Sequence, residues 1–272
     1  MPIRFGIMSP RLGAEGEELF RRAAEAGLDV EWVARADYEN DPLFDPESRR
    51  RHMAWAAKHG VRFCSGAMAF MNRTGLGSKI AADRDFARKG LAAWIPIFAE
   101  IGARHILVAN FGKARIEDEE NERLLIEAVR EAIALAERGR VVLDLETTLE
   151  AGRLHDIIRR IGSPWAKVYF DTANVFQYGL EPVGQIRALG SLIGQAHFKE
   201  SSPATLKTDL ACGEGQVDFP GVVRALKDVG YQGWIVFETP AGRDPVESAK
   251  RNLSFSRRLV EEIYGPGAVE AS

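Results

Sequence analysis

The stretch RVVLDLETTLEAGRLHDIIRRIGSPWAKVYFDT, residues 140–172, opens and closes on a short β-rich run, with a segment of helical period between the two. The runs are RVVLDLE (140–146) and AKVYFDT (166–172), and each places a carboxylate just after a set of apolar residues. One strand, one helix and a second strand in about 30 residues is the βα unit of a parallel sheet.

The same unit repeats in both directions along the chain. Upstream lie IRFGIMS (3–9), LDVEWVA (28–34), VRFCSGAM (61–68) and ARHILVAN (103–110); downstream lie LIGQAHFK (192–199) and GWIVFET (233–239). The intervening segments carry stripes such as Leu125, Ala128, Val129, Ala132, Ile133 and Ala136, whose spacings of three and four give one apolar face. The run Glu117, Asp118, Glu119, Glu120 precedes that stripe, where acidic groups complement the positive end of a helix. Glycines in EAGLDV, KHGVRF, EIGARH and DVGYQG stand just before the next strand, the position of a left-handed helix cap.

Eight strands alternating with helices predict a (β/α)8 TIM barrel, with residues 1–264 forming a single domain and the tail GPGAVEAS (265–272) expected to be disordered. An open doubly wound sheet is the alternative, but the first strand runs into SPRLGAEGEE and not into a GxGxxG turn.

A formal net charge of −3 supplies no basic face for a phosphate backbone, so nucleic acid is excluded as a partner. No run approaches the roughly 18 apolar residues of a membrane span, and no apolar leader segment follows Met1. Cys64 and Cys212 are too few for a disulfide framework and too far apart for a zinc motif, which predicts reduced thiols and a cytoplasmic protein.

In a barrel of this kind the reacting groups stand at the C-terminal ends of the strands. Glu146 ends VVLDLE, Asp171 ends KVYFD, His197 ends IGQAH and Glu238 ends WIVFE, at gaps of 25, 26 and 41 residues. Four consecutive strands would then aim three carboxylates and an imidazole at one spot, where like charges need a cation between them. Three oxygen donors and one nitrogen suit a single divalent ion, Mn²⁺ before Mg²⁺, with Co²⁺ or Zn²⁺ as substitutes. Phe198, alternating to the opposite face from His197, is expected to pack outward. His52, His59, His105 and His155 form no second cluster in the sequence.

These residues resemble the sugar phosphate isomerase/epimerase family of xylose isomerase-like barrels. DTANVFQYG, AHFKE, CGEGQVDF and GYQGWIVFE are similar to that family's landmarks on strands six to eight, in an order most like the L-ribulose-5-phosphate and L-xylulose-5-phosphate 3-epimerases. The resemblance implies that Glu146, Asp171, His197 and Glu238 are metal ligands and that Glu146 and Glu238 double as the acid/base pair. It also implies a small sugar or sugar phosphate as substrate, and a homodimer or homotetramer. Two departures stand out: Asn174 replaces a histidine found in many relatives, and the usual HxKD is HFKE, with Glu200 in the last place. The arginine that ketose 3-epimerases of free sugars carry soon after the metal histidine is absent, and the extra histidine ligands of the DNA-repair branch are missing too.

The expected chemistry is that of a metal-dependent isomerase or epimerase, by proton abstraction beside a carbonyl through a cis-enediolate; return of the proton on the opposite face is epimerisation, which the resemblance implies is at carbon 3. Lys199, Lys207 and Asn174 are candidates for a substrate hydroxyl or phosphate, and Gly213 and Gly215 in GEGQVDF shape a loop near the site. Two readings compete: a metal-dependent dehydratase of the inosose or dehydroshikimate type, and a metal-holding barrel without catalysis.

Overall fold

The computed structural model describes residues 2–202 and 210–270. Eight parallel strands close on themselves in sequence order: β1 (Arg4–Met8), β2 (Asp29–Val33), β3 (Phe63–Ala67), β4 (His105–Asn110), β5 (Val142–Thr147), β6 (Ala166–Asp171), β7 (Ile193–Phe198) and β8 (Trp234–Phe237). Closure through the β1–β8 pair, with Gly6 opposite Val236, rules out the open-sheet alternative.

Among the described residues nine α-helices pack around the barrel: α1 (Gly16–Ala26), α2 (Pro46–His59), α3 (Ala81–Glu100), α4 (Glu119–Gly139), α5 (Ala151–Ile161), α6 (Thr172–Gln177), α7 (Pro182–Leu189), α8 (Phe219–Asp228) and α9 (Pro245–Tyr264). None is long and apolar enough to cross a membrane. The acidic run before α4 has the structural role its position suggests, because the Asp118 side chain caps the helix by accepting from the Asn121 N–H at 3.1 Å. Leu125, Ala128, Val129 and Ala136 of the predicted stripe are buried against the barrel.

Register decides which side chains enter the barrel. Met8 lies opposite Glu31, Glu31 opposite Ser65, Leu107 opposite Asp144, Tyr169 opposite Gln195, and Asp171 opposite His197. Side chains at i and i+2 share a face, so Asp144 with Glu146, Tyr169 with Asp171 and Gln195 with His197 all point inward in two stacked layers. The odd neighbours point to the helices: Phe198 packs on Phe219 of α8 with ring centroids 5.1 Å apart.

Where a helix comes closest to the sheet, the strand carries glycine. A Cβ on Gly66 of β3 would stand 2.1 Å from the ring of Phe98 on α3, and that ring is fully buried.

The chain end departs from the expectation of disorder up to residue 270. Val269 makes a parallel bridge to Ile3, the Ile3 N–H donates to the Ala268 carbonyl at 2.7 Å, and the Glu270 N–H donates to the Ile3 carbonyl at 2.9 Å. The Glu270 carboxylate also pairs with Arg4 and with Arg62, so an open backbone edge and two guanidinium groups hold what composition alone read as a loose tail.

Gly66→Ala should lower unfolding free energy by about 1–3 kcal/mol through overpacking against Phe98. Urea denaturation checks this, and the loss should appear as a lower midpoint with an unchanged slope.

Candidate metal centre and active site

One ligand atom each from Glu146, Asp171, His197 and Glu238 gathers within 4.8 Å of the others at the C-terminal mouth of the barrel. Glu146 sits on β5, Asp171 and His197 end or nearly end β6 and β7, and Glu238 follows β8 directly, its N–H donating to the Phe198 carbonyl at 3.1 Å.

Local structure aims each group. The sequence DTAN makes Asp171 the N-cap of α6: Oδ1 accepts from the Ala173 and Asn174 N–H groups at 2.8 and 2.7 Å. Its other oxygen, Oδ2, is buried with no hydrogen-bond partner and lies 3.6 Å from His197 Nδ1. His197 Nδ1 is likewise buried without a hydrogen bond and lies 3.3 Å from Glu238 Oε2. Two facing orphaned polar atoms are costly unless something lies between them, and an ion taking one lone pair from each removes the cost. The donor set of three carboxylates and one imidazole therefore fits a divalent cation.

The surroundings differentiate the two glutamates. Glu146 is fully buried and its Oε1 accepts from Asn174 Nδ2 at 2.7 Å. Burial first, and then the charge of Asp171, push its carboxyl well above the ordinary range. Glu238 Oε1 accepts from Lys199 Nζ at 2.8 Å and from Arg11 at 3.4 Å. Burial would raise this carboxyl too, but it is outweighed by His197 and Lys199, which hold it well below the ordinary range. Burial works against the charge on Lys199 as well, and the carboxylates of Asp171 and Glu238 overcome it, keeping the ammonium charged. Thr172 fixes the start of the segment after β7: its hydroxyl donates to the Lys199 carbonyl at 2.7 Å and accepts the Lys199 N–H at 3.0 Å.

Of the other sequence candidates, Asn174 and Lys199 touch the cluster through Glu146 and Glu238, while Lys207 lies outside the described residues. His52, His59 and His105 bond elsewhere, to Ser48, Glu17 and Asp144. GEGQVDF folds around a residue given no role in the sequence reading. Glu200 accepts the Gly213 N–H at 2.8 Å through one oxygen, and the Ser201 and Val217 N–H groups at 2.8 and 3.1 Å through the other. A Cβ on Gly215 would stand 2.5 Å from Glu200 Oε1, so the turn closes on that carboxylate only with glycine there. Arg11 and Glu31 were also missed; Glu31 is a fully buried carboxylate whose Oε1 lies 2.9 Å from His197 Nε2.

The family model for the xylose isomerase-like TIM barrel matches residues 20–259. The chain belongs to this family. Among curated proteins it is 29% identical over 229 residues to the 2-epi-5-epi-valiolone 7-phosphate 2-epimerase of Actinoplanes sp., spanning 84% of this chain and 83% of the relative. It is 26% identical over 223 residues to the L-ribulose-5-phosphate 3-epimerase UlaE of Escherichia coli O1:K1, spanning 78% of this chain and 76% of that one. Among solved structures, an L-ribulose 3-epimerase superposes with a TM-score of 0.82 at 18% identity, covering 96% of each chain. The D-allulose 3-epimerase of Methylomonas sp. gives 0.80 at 16% identity, over 95% of this chain and 97% of that one. At these identities the structural matches speak for the fold.

If the cluster holds a cation, metal-free protein titrated with Mn²⁺ should take up one ion per chain by calorimetry. Asp171→Asn, which removes the ligand charge but keeps the shape, should weaken that uptake by about tenfold or more. Unchanged affinity would place Asp171 outside the coordination sphere.

Proposed function

We propose that the protein is a metal-dependent epimerase of a keto-sugar or keto-sugar phosphate, acting at the carbon beside the carbonyl, with carbon 3 as the position best supported by the relatives. The observation that carries this reading is the pair of differently held glutamates, Glu146 and Glu238, on either flank of a four-donor cluster at the barrel mouth. The two curated relatives described above carry names that specify epimerisation of a phosphorylated substrate, which supports the same reaction class.

Glu146, Asp171, His197 and Glu238 would hold a divalent cation, and its chemistry there would be to polarise the substrate carbonyl and so make the adjacent C–H acidic. The protein residues do the rest. Glu146 and Glu238, on opposite flanks of the cluster, are the two carboxylates set to take the proton from one face of the substrate and to return it on the other, Glu238 beside Lys199 and Glu146 beside Asn174. In the reverse direction the roles exchange. Lys199 and Arg11 converge on Glu238 Oε1 and are the cations beside the cluster that a substrate oxygen or phosphate could meet, and Asn174 orients Glu146.

With L-ribulose 5-phosphate as probe in D₂O, the wild type should incorporate deuterium at carbon 3 while interconverting the epimers. Glu146→Gln and Glu238→Gln should each reduce interconversion by about 10²-fold or more, while either can still exchange deuterium into one epimer through the remaining carboxylate. Metal occupancy is measured beside each rate, because a lost ion would mimic a lost base. Two variants that keep the metal and interconvert epimers at the wild-type rate would end the two-glutamate reading, and an ultraviolet-absorbing enone product would mark a dehydratase instead.

A further inference from the structure

Beneath the four-donor cluster lies a second inward layer with a carboxylate at its centre. Glu31, in the middle of β2, accepts at Oε2 from the Ser65 hydroxyl at 2.6 Å and from the Tyr169 hydroxyl at 2.7 Å, while its Oε1 faces His197 Nε2 at 2.9 Å. Gln195 donates in turn to the Tyr169 hydroxyl at 3.3 Å, and the Tyr169 ring packs against the imidazole with centroids 4.4 Å apart. Glu31, Ser65, Tyr169, Gln195 and His197 are each no more than 1% exposed.

A carboxylate shut away from water is costly unless every lone pair in use has a donor, and replacing such a group by apolar packing often leaves stability unharmed. Its place here is explained by what it does to the ring above it. Two hydroxyl donors occupy Oε2, so the contact at Oε1 is completed by an Nε2–H of His197. That assignment puts the proton on the nitrogen facing the barrel floor and turns Nδ1 toward Asp171 and Glu238.

We infer that Glu31 is the positioning residue of His197: it holds the ring in one orientation, with Nδ1 presented to the cation of the proposed function. The inference rests on that reading of His197 as a ligand, but its first consequence, a held Nε2–H, exists without the metal. A carboxylate accepting the second N–H of a ligating histidine fixes tautomer and orientation, and its loss costs metal affinity without touching the metal.

The test uses full-length protein with Glu31→Ala and Glu31→Gln, Mn²⁺ titration by calorimetry, and ¹⁵N-histidine NMR of the metal-free chains. Wild type should show a protected Nε2–H on His197. Glu31→Ala should lose it and bind Mn²⁺ about 10–100-fold more weakly, whereas Glu31→Gln, which still offers an acceptor oxygen, should keep the Nε2–H and fall between. A folded Glu31→Ala chain that retains the Nε2–H and binds Mn²⁺ within about twofold of wild type would overturn the assignment, since a packing role alone would lower only the melting temperature. Should Glu31→Ala fail to fold, Tyr169→Phe, which removes one donor to Oε2 and keeps the ring, takes its place; unaltered Mn²⁺ affinity in both Tyr169→Phe and Glu31→Gln would equally overturn it. Wild-type protein that takes up no Mn²⁺ would refute the metal reading, while the Nε2–H measurement would still decide what Glu31 does.

Discussion

The structure depends on one constraint: eight parallel strands closed in register, so that side chains two residues apart enter the barrel together. From this follow both layers of polar groups, with Glu31, Ser65, Tyr169 and Gln195 below and Glu146, Asp171, His197 and Glu238 at the mouth. A slip of one residue in β7 would turn His197 to the helices and Phe198 into the site. The register is in turn held by close packing from outside, as where Gly66 admits the Phe98 ring and Phe198 meets Phe219.

Electrostatics explains why so many acids coexist in one place. Each carboxylate is satisfied in part by a donor of the fold: the α6 N-terminus for Asp171, Asn174 for Glu146, Lys199 for Glu238, and two hydroxyls for Glu31. Within the cluster itself, Asp171 Oδ2 and His197 Nδ1 are left without a hydrogen bond and lie 3.6 Å apart. Two unpaired atoms that face each other at the centre of the cluster are the pattern expected where a cation completes the set.

Much of this was legible in the sequence. The barrel could be read because its strands are separated by helical stripes and glycine caps, and the four mouth residues because each follows an apolar run at a strand end. Glu31 escaped the same reading because LDVEWVA carries its acid in mid-strand, where nothing in one dimension says which residue on β7 stands above it. Glu200 escaped because its partners are backbone N–H groups up to 17 residues away, which have no sequence signature. The chain end was misread because its composition is that of a loose tail, whereas its order comes from Ile3, Arg4 and Arg62 at the far end of the chain.

The central claim is that these four side chains make one metal centre with a histidine oriented from below. Anomalous diffraction at the manganese edge from crystals of Mn²⁺-loaded protein tests it most directly. One peak in the barrel mouth, contacted by Glu146, Asp171 Oδ2, His197 Nδ1 and Glu238 with Glu31 still on Nε2, is the predicted result. A peak elsewhere, or ligation through His197 Nε2 with Glu31 displaced, would contradict the account.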